Sequence, residues 1–174
     1  MPHWTFTTPH RGHPGQVVAD ALEKLDGDFF AHGFDDDPPA DVARLVREAV
    51  LTDAVWASGK VQEQRMDGTP TGVVYSGLLG ERSLFRNSTP LQGCVFRSGV
   101  LDMVPFCEPG SARATYDWDF ALRVYTTFGA PAHVPEVVGY WRLNPDGIIA
   151  QPSTPVETEA WQERRSEIWN RRAQ

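Results

Sequence analysis

Disulfide chemistry, membrane spans and a strong positive charge are what this sequence has least of. Cys94 and Cys107 are its only cysteines, too few for a disulfide framework. Both lie beside apolar residues (Val95, Phe96, Phe106), the setting of buried free thiols. No apolar run approaches the ~20 residues that cross a bilayer. Met1-Pro2-His3-Trp4-Thr5 shows no basic region followed by an apolar stretch, so no signal peptide and a cytoplasmic location are expected. Sixteen Lys and Arg against 23 Asp and Glu leave a net charge of −7, which excludes a broad electrostatic footprint for nucleic acid. Arg164, Arg165, Arg171 and Arg172 make only the last helix basic, the pattern of a solvated face. Repeats and long linkers are also lacking. What remains, 41% apolar and 22% charged in 174 residues, describes an ordinary globular chain, expected as one domain.

The apolar spacing predicts an α/β protein. Trp4–Thr8 alternates large apolar and hydroxyl residues and is expected as a strand. Gln16–Leu25, the stretch from Pro39 to Thr52, Asp117–Gly129 and Glu157–Arg172 carry apolar residues at helical spacing. Phe29, Phe30, Ala31 and Phe34 predict a short buried strand. Further strands are expected at Ala54–Ala57, with Gly59–Gln64 extending it or beginning the next, at Val73–Tyr75 after an Asp67-Gly68 turn, at the end of an extended segment Thr89–Arg97 and at Val134–Leu143. Ser98–Met103 predicts a short helical turn, and Glu108–Ala114 a loop.

The chemistry concentrates in Asp35-Asp36-Asp37, three adjacent acids at a strand end. They need a cation, hydrogen-bond donors or open water, because like charges cannot share a buried site unpaired. A solvated turn ahead of a helix begun by Pro38-Pro39-Ala40-Asp41 meets that need, and so does a divalent-metal site. His10 and Arg11, in a Gly- and Pro-broken loop, offer donors to a phosphate or carboxylate. His10 and His13, with His3, are a weaker candidate for a transition metal, since no thiolate or helical His pair accompanies them.

Two separated stretches resemble family 2 glycosyltransferases of the GT-A fold. Gly27-Asp28-Phe29 through Asp35-Asp36-Asp37, then a helix and Asp53-Ala54-Val55-Trp56, is similar to that family's metal-strand region. Thr115-Tyr116-Asp117-Trp118-Asp119-Phe120-Ala121-Leu122-Arg123 resembles its acidic helix start. His133 through Asn144 is similar to its following strand, and Asn87 through Arg97 to the extended segment between them. The resemblance covers roughly residues 16–150. It implies a truncated GT-A-like mixed sheet flanked by helices, with 1–52 a remnant of the nucleotide and metal half, 53–150 the acceptor half and 151–174 a C-terminal helix. It also implies inverting transfer from a nucleotide-sugar to a glycan or other hydroxyl acceptor, with Mn²⁺ or Mg²⁺ held by Asp35 and Asp37. Asp36 would assist or face the sugar, and Asp117 would act as the base. As an N-cap of a helix beginning at Trp118, Asp117 has an equally good structural reading.

The chain departs from the family pattern in three places. Tyr116 replaces an acid, Ala19 or Asp20 stands near the usual Asn, and too few residues precede Asp35 to supply the nucleobase and ribose pocket. The loss of that unit removes one wall of the crevice at the strand ends. The His10-Arg11-Gly12-His13 loop, a second copy or a partner would have to rebuild it, and a homodimer covering the open sheet edge is expected. An alternative alignment makes Trp4–Thr8 the first strand and assigns Asp35-Asp36 to the nucleobase. A chain of this kind also admits a non-catalytic carbohydrate-binding or assembly module, in which Trp118, Trp141 and Tyr140 stack on sugars. A fragment of a longer enzyme, or one member of a split pair, is the remaining expectation.

Overall fold

A computed structural model describes residues 13–24, 26–34, 36–80, 83, 87–109, 115–145 and 155–171. The strand expected at Trp4–Thr8 lies outside them. The described chain is a mixed α/β structure: an open, mixed sheet with helices on both faces.

Helix α1 runs Pro14–Leu22, starting earlier than the apolar spacing indicates. Proline suits its first turn, and the His13 imidazole Nδ1 accepts from the Gly15 N–H at 3.2 Å. Strand β1 is only Phe29–Phe30 and pairs antiparallel with β4 (Cys94–Arg97). The longer strand expected through Phe34 does not form. Past Phe30 the chain leaves the ladder: His32 packs with Phe106 and Tyr116, Phe34 packs edge-on to His32, and Ala31 is exposed. Helix α2, Val42–Leu51, begins after the proline pair rather than at it, because the Asp41 carboxylate caps the Arg44 N–H at 3.1 Å. Its buried face is Leu45 and Ala49, while Val50 and Leu51 face outward.

Strand β2, Trp56–Arg65, is the axis of the sheet. Its first half pairs antiparallel with β4, and its second half forms the expected hairpin with β3, Pro70–Tyr75. The turn places Gly68 at φ 86°, a value glycine adopts without a Cβ clash, and Asp67 accepts from Thr69 N–H at 2.8 Å. Strand β5, Ala132–Leu143, runs parallel along the other side of β2. Its far edge is covered by the chain after β1: the Asp41 N–H donates to the Val138 carbonyl at 2.7 Å.

On one sheet face, Leu45 and Ala49 of α2 meet Ala57, Val95, Val134 and Val138. On the other, Phe30, Trp56, Phe96 and Leu91 lie beneath Phe120, Ala121 and Val124 of α3, Tyr116–Phe128, which ends where Gly129 takes φ 86°. The indole of Trp56 stacks on Phe96 and donates to the Gly129 carbonyl at 3.1 Å, tying the start of β2 to the end of α3.

The last helix, α4, spans Pro155–Arg171 and buries Trp161 and Ile168 against Leu122. Its arginines are not all solvated, contrary to the expectation from composition. Arg164 pairs with Asp119 and Glu108, and Arg165 lies 4.9 Å from the Trp118 ring centroid and 5.3 Å from that of Trp161. Trp118 is thereby occupied, its indole N–H given to the Ser83 carbonyl at 2.8 Å and its ring edge-on to Trp161. Among the described residues no helix is long and apolar enough to cross a membrane.

Candidate active site

The acidic run follows β1 across the sheet and reaches the end of β5. Asp37 Oδ1 accepts from the Arg142 backbone N–H at 2.6 Å, and its Oδ2 accepts from Gln92 Nε2 at 2.9 Å. Asp36 accepts twice, through its carbonyl from Arg142 NH1 at 3.2 Å and through Oδ2 from Asn144 Nδ2 at 2.9 Å. These donors settle where the charge goes: the two acids form neither a freely solvated turn nor the cap of α2, a role that Asp41 takes. Burial still raises Asp37 above the ordinary carboxylate value, opposed by the Arg142 N–H and the Gln92 amide, while the neighbouring Asp36 charge pushes the same way as burial. Asp35, His10 and Arg11 lie outside the described residues.

Gln92 sits in a short 3-10 helix, Leu91–Gly93, immediately before β4. It is 4% exposed, a place where an amide must be held. The close packing that holds it comes from β5: a Cβ on Gly139 would lie 2.6 Å from the Gln92 carbonyl oxygen, so only glycine lets the strand approach. The amide nitrogen reaches Asp37, whereas the amide oxygen Oε1 is buried with no hydrogen-bond partner.

Two residues after Gln92, the buried Cys94 thiol is raised first by burial and then by the charge of Asp117. The Leu91–Gly93 helix packs against α3, the helix that carries Asp117. Asp117 is not the N-cap of α3: the helix begins at Tyr116, two residues before Trp118, with Thr115 ahead of it, and Asp117 sits in the first turn. Its carboxylate is 9% exposed. Burial pushes it up to about 6, against the pull of the Trp118 N–H and its own N–H, with the Asp119 charge adding to the rise.

A second link ties the two acidic motifs together. His32, in the stretch leading to Asp36, has its Nε2 3.3 Å from the Tyr116 hydroxyl, next to Asp117. Burial lowers its imidazole to about 4, so it is neutral at pH 7. Tyr116, which stands where an acid was expected by resemblance, is thus a hydrogen-bonding wall for His32. Its phenol is raised by burial and by the Asp117 charge.

Gln92, His32, Arg142 and Asn144 were not among the sequence-derived site residues. Arg142 and Asn144 carried a signal, since both close the strand motif. Gln92 and His32 showed only as single polar residues inside apolar stretches, a pattern shared by many satisfied core side chains. Cys94 is buried as expected, and Cys107 is half-buried, with its sulfur 3.8 Å from His13 Nδ1.

Among the described residues no group of three His, Cys, Asp or Glu side chains converges as a metal-ligand set. The oxygens present at the acids are hard donors, the Asp36 and Asp37 carboxylates. They fit Mg²⁺ or Mn²⁺, which retain waters and need few protein ligands, and they do not fit a soft or imidazole-preferring metal.

No family model matches this chain, and no curated protein matches it either.

Proposed function

We propose that the chain is a glycosyltransferase-like protein of truncated GT-A-like architecture, moving a sugar from a nucleotide-sugar to an acceptor hydroxyl with inversion. One observation carries the reading. The two acidic stretches, far apart in sequence, meet: Asp37 is bonded to Gln92 just before β4, and His32, ahead of Asp36, lies 3.3 Å from the hydroxyl of Tyr116, the residue before Asp117. The stretch whose carboxylates suit a hard cation is thus joined to the helix start whose buried carboxylate suits proton transfer.

Each residue then has a task that its environment favours. Asp117, held near 6, is mostly ionised at pH 7 yet more basic than an ordinary Asp, which suits removal of a proton from an acceptor hydroxyl. The bond from acceptor oxygen to anomeric carbon forms as the bond from that carbon to the diphosphate oxygen breaks, and the proton passes to Asp117. Asp36 and Asp37, with Asp35 by resemblance, would hold Mn²⁺ or Mg²⁺, whose Lewis acidity neutralises a leaving diphosphate. Asn144 and Gln92 fix the carboxylates' orientation. Arg142, its guanidinium beside Asp36, adds positive charge on the same side. In this reading His10 and Arg11 contact the nucleotide, and a second copy covers the outer edge of β1, whose one strand partner among the described residues is β4.

The test is release or transfer of sugar from nucleotide-sugars with Mn²⁺ present. Turnover should require the ion, stop with a chelator, and be lost in Asp37→Ala. Absence of turnover and of donor binding in a folded protein would exclude the enzyme.

A non-catalytic carbohydrate-binding module is a second reading, favoured by Trp141. Its half-buried ring lies 5.5 Å from that of Tyr75, in register across the sheet from Glu63, whose carboxylate is held by the Thr71 and Tyr75 hydroxyls at 2.7 and 2.9 Å. Glycan binding that survives both Asp37→Ala and Asp117→Ala would favour it over the enzyme.

A further inference from the structure

The sheet face on which Gln92 packs continues past it. A Cβ on Gly139 would lie 2.6 Å from the Gln92 carbonyl oxygen, so the side-chain direction of Gly139 is the one that Gln92 covers. Trp141 follows on the same face about 7 Å further along β5, because side chains alternate across a strand. The pairing with β2 is regular there: Val61 stands opposite Gly139, Glu63 opposite Trp141, and Tyr75 of β3 opposite Val61. Trp141, Glu63 and Tyr75 therefore gather on one face next to the acidic run, whose Asp37 takes the backbone N–H of Arg142, the residue after Trp141, at 2.6 Å.

The polar groups of this cluster are only partly used. Glu63 keeps 9% exposure, and its two carboxylate oxygens accept one hydroxyl hydrogen each, from Thr71 at 2.7 Å and from Tyr75 at 2.9 Å. A carboxylate offers about four acceptor sites, so acceptor capacity remains. No cation pairs with Glu63 among the described residues. The indole N–H of Trp56 goes to Gly129, that of Trp118 goes to Ser83, and that of Trp161 is enclosed. Trp141 differs: among the described residues its N–H meets no acceptor, and it is not enclosed, so it faces solvent. Its half-buried ring packs on Tyr75 with centroids 5.5 Å apart and planes tilted by 59°.

An aromatic ring with an available N–H donor on it and a carboxylate acceptor beside it matches a sugar, which has C–H surface for the indole and hydroxyls that both donate and accept. An ammonium ligand would use the ring and the carboxylate but leave the donor idle. We propose that Trp141, Tyr75 and Glu63 form a sugar subsite, in which one pyranose ring of a carbohydrate acceptor lies against Trp141 and gives hydroxyl hydrogens to Glu63. That this sugar is the acceptor rests on the transferase reading above; that a sugar binds here does not. The subsite lies one strand repeat from Gly139 and Gln92, so the far side of the bound ring is directed toward Asp37.

The experiment is a titration of the full chain with maltose, cellobiose and N,N′-diacetylchitobiose, followed by Trp fluorescence and saturation-transfer NMR, on wild type, Trp141→Ala, Trp141→Phe and Glu63→Gln, with folding checked by circular dichroism. Wild type should bind at least one of these sugars saturably. Trp141→Ala should weaken that binding by roughly 10-fold or more. Glu63→Gln should weaken it by roughly 10-fold. Trp141→Phe, which keeps a ring and loses the N–H, should fall between wild type and Trp141→Ala. If Trp141→Ala fails to fold, Trp141→Phe and Glu63→Gln carry the test. A wild type that binds none of these sugars overturns the proposal, as do folded Trp141 and Glu63 variants that bind as well as wild type. In a protein that turns over, the Trp141→Ala loss should fall on the acceptor KM rather than on kcat. Sugar binding that depends on Trp141 and Glu63, in a protein that neither binds nor turns over a nucleotide-sugar, would support the subsite and remove the transferase reading.

Discussion

Asp119→Ala is expected to lower the free energy of unfolding by roughly 3–5 kcal/mol, because it leaves a buried guanidinium without its counter-charge. Asp119 is 0% exposed and Arg123 4%. Asp119 Oδ2 accepts from Arg123 Nε at 2.8 Å and from Arg164 NH2 at 3.1 Å, and Oδ1 accepts from Arg164 Nε. Arg123 also donates to the Pro105 and Phe106 carbonyls at 2.6 and 3.1 Å, anchoring the chain after β4 to α3. Its remaining acidic contact, Glu108 at 3.5 Å, is too long to replace a bonded carboxylate. Arg164 belongs to α4, so losing Asp119 should also loosen that helix. Urea unfolding followed by Trp fluorescence checks both effects, since Trp118 and Trp161 report the α3–α4 seam. An unchanged midpoint would mean that the buried network contributes nothing.

Asp117→Asn is expected to remove activity by a factor of ~10²–10⁴, the usual contribution of a positioned base, while stabilising the fold at neutral pH. The stability effect follows from linkage. Asp117 stands at about 6 in the folded protein against its ordinary 3.8, so folding favours its protonated form. The stability that this proton contributes is complete below pH 3.8 and is lost as pH rises through 6. His32 behaves in the opposite sense. Lowered from 6.5 to about 4, it contributes stability above pH 6.5 that is lost as pH falls toward 4. Each shift corresponds to about 3 kcal/mol, and the two windows overlap, so they nearly cancel in the wild type. Asp117→Asn should therefore show stability rising from pH 4 to 6.5, and His32→Phe stability falling from 3.8 to 6. Denaturant midpoints across this range provide the check. A profile of Asp117→Asn parallel to wild type would show that Asp117 is not held near 6.

Much of the secondary structure was legible because it is local. Phe120, Ala121, Val124 and Tyr125 repeat at helical spacing, and α3 forms around them. Asp67-Gly68 marks a turn that the β2–β3 hairpin uses. Where local signals misled, a distant partner decided. Ala31 and Phe34 looked like strand residues, but His32 between them turns to Phe106 and Tyr116, and Phe34 packs edge-on to His32 instead of continuing the ladder. Arg164 and Arg165 looked solvated because Asp119, Glu108 and Trp118 belong to other elements. The sheet order, with β3 and β4 sharing one side of β2, depends on long-range pairing that no window of sequence contains.

The candidate site divides in the same way. Acids at the end of β1 and at the start of α3 could be picked out by residue type and position. Whether they were caps or site residues could not, since an acid at a helix start serves either purpose. The structure gives the cap of α2 to Asp41 and places Asp117 inside the first turn of α3, after the N-cap position at Thr115. Gln92 stands among Leu91, Gly93, Cys94 and Val95, and nothing in that string shows that it meets Asp37.

The most direct test of the account is a calorimetric titration of the folded protein with a nucleoside diphosphate, with and without Mn²⁺, in wild type and Asp37→Ala. The account predicts saturable binding in the wild type that requires Mn²⁺ and disappears in Asp37→Ala. A folded wild type that gives no binding heat with Mn²⁺ present, or an Asp37→Ala variant that binds equally well, would contradict it.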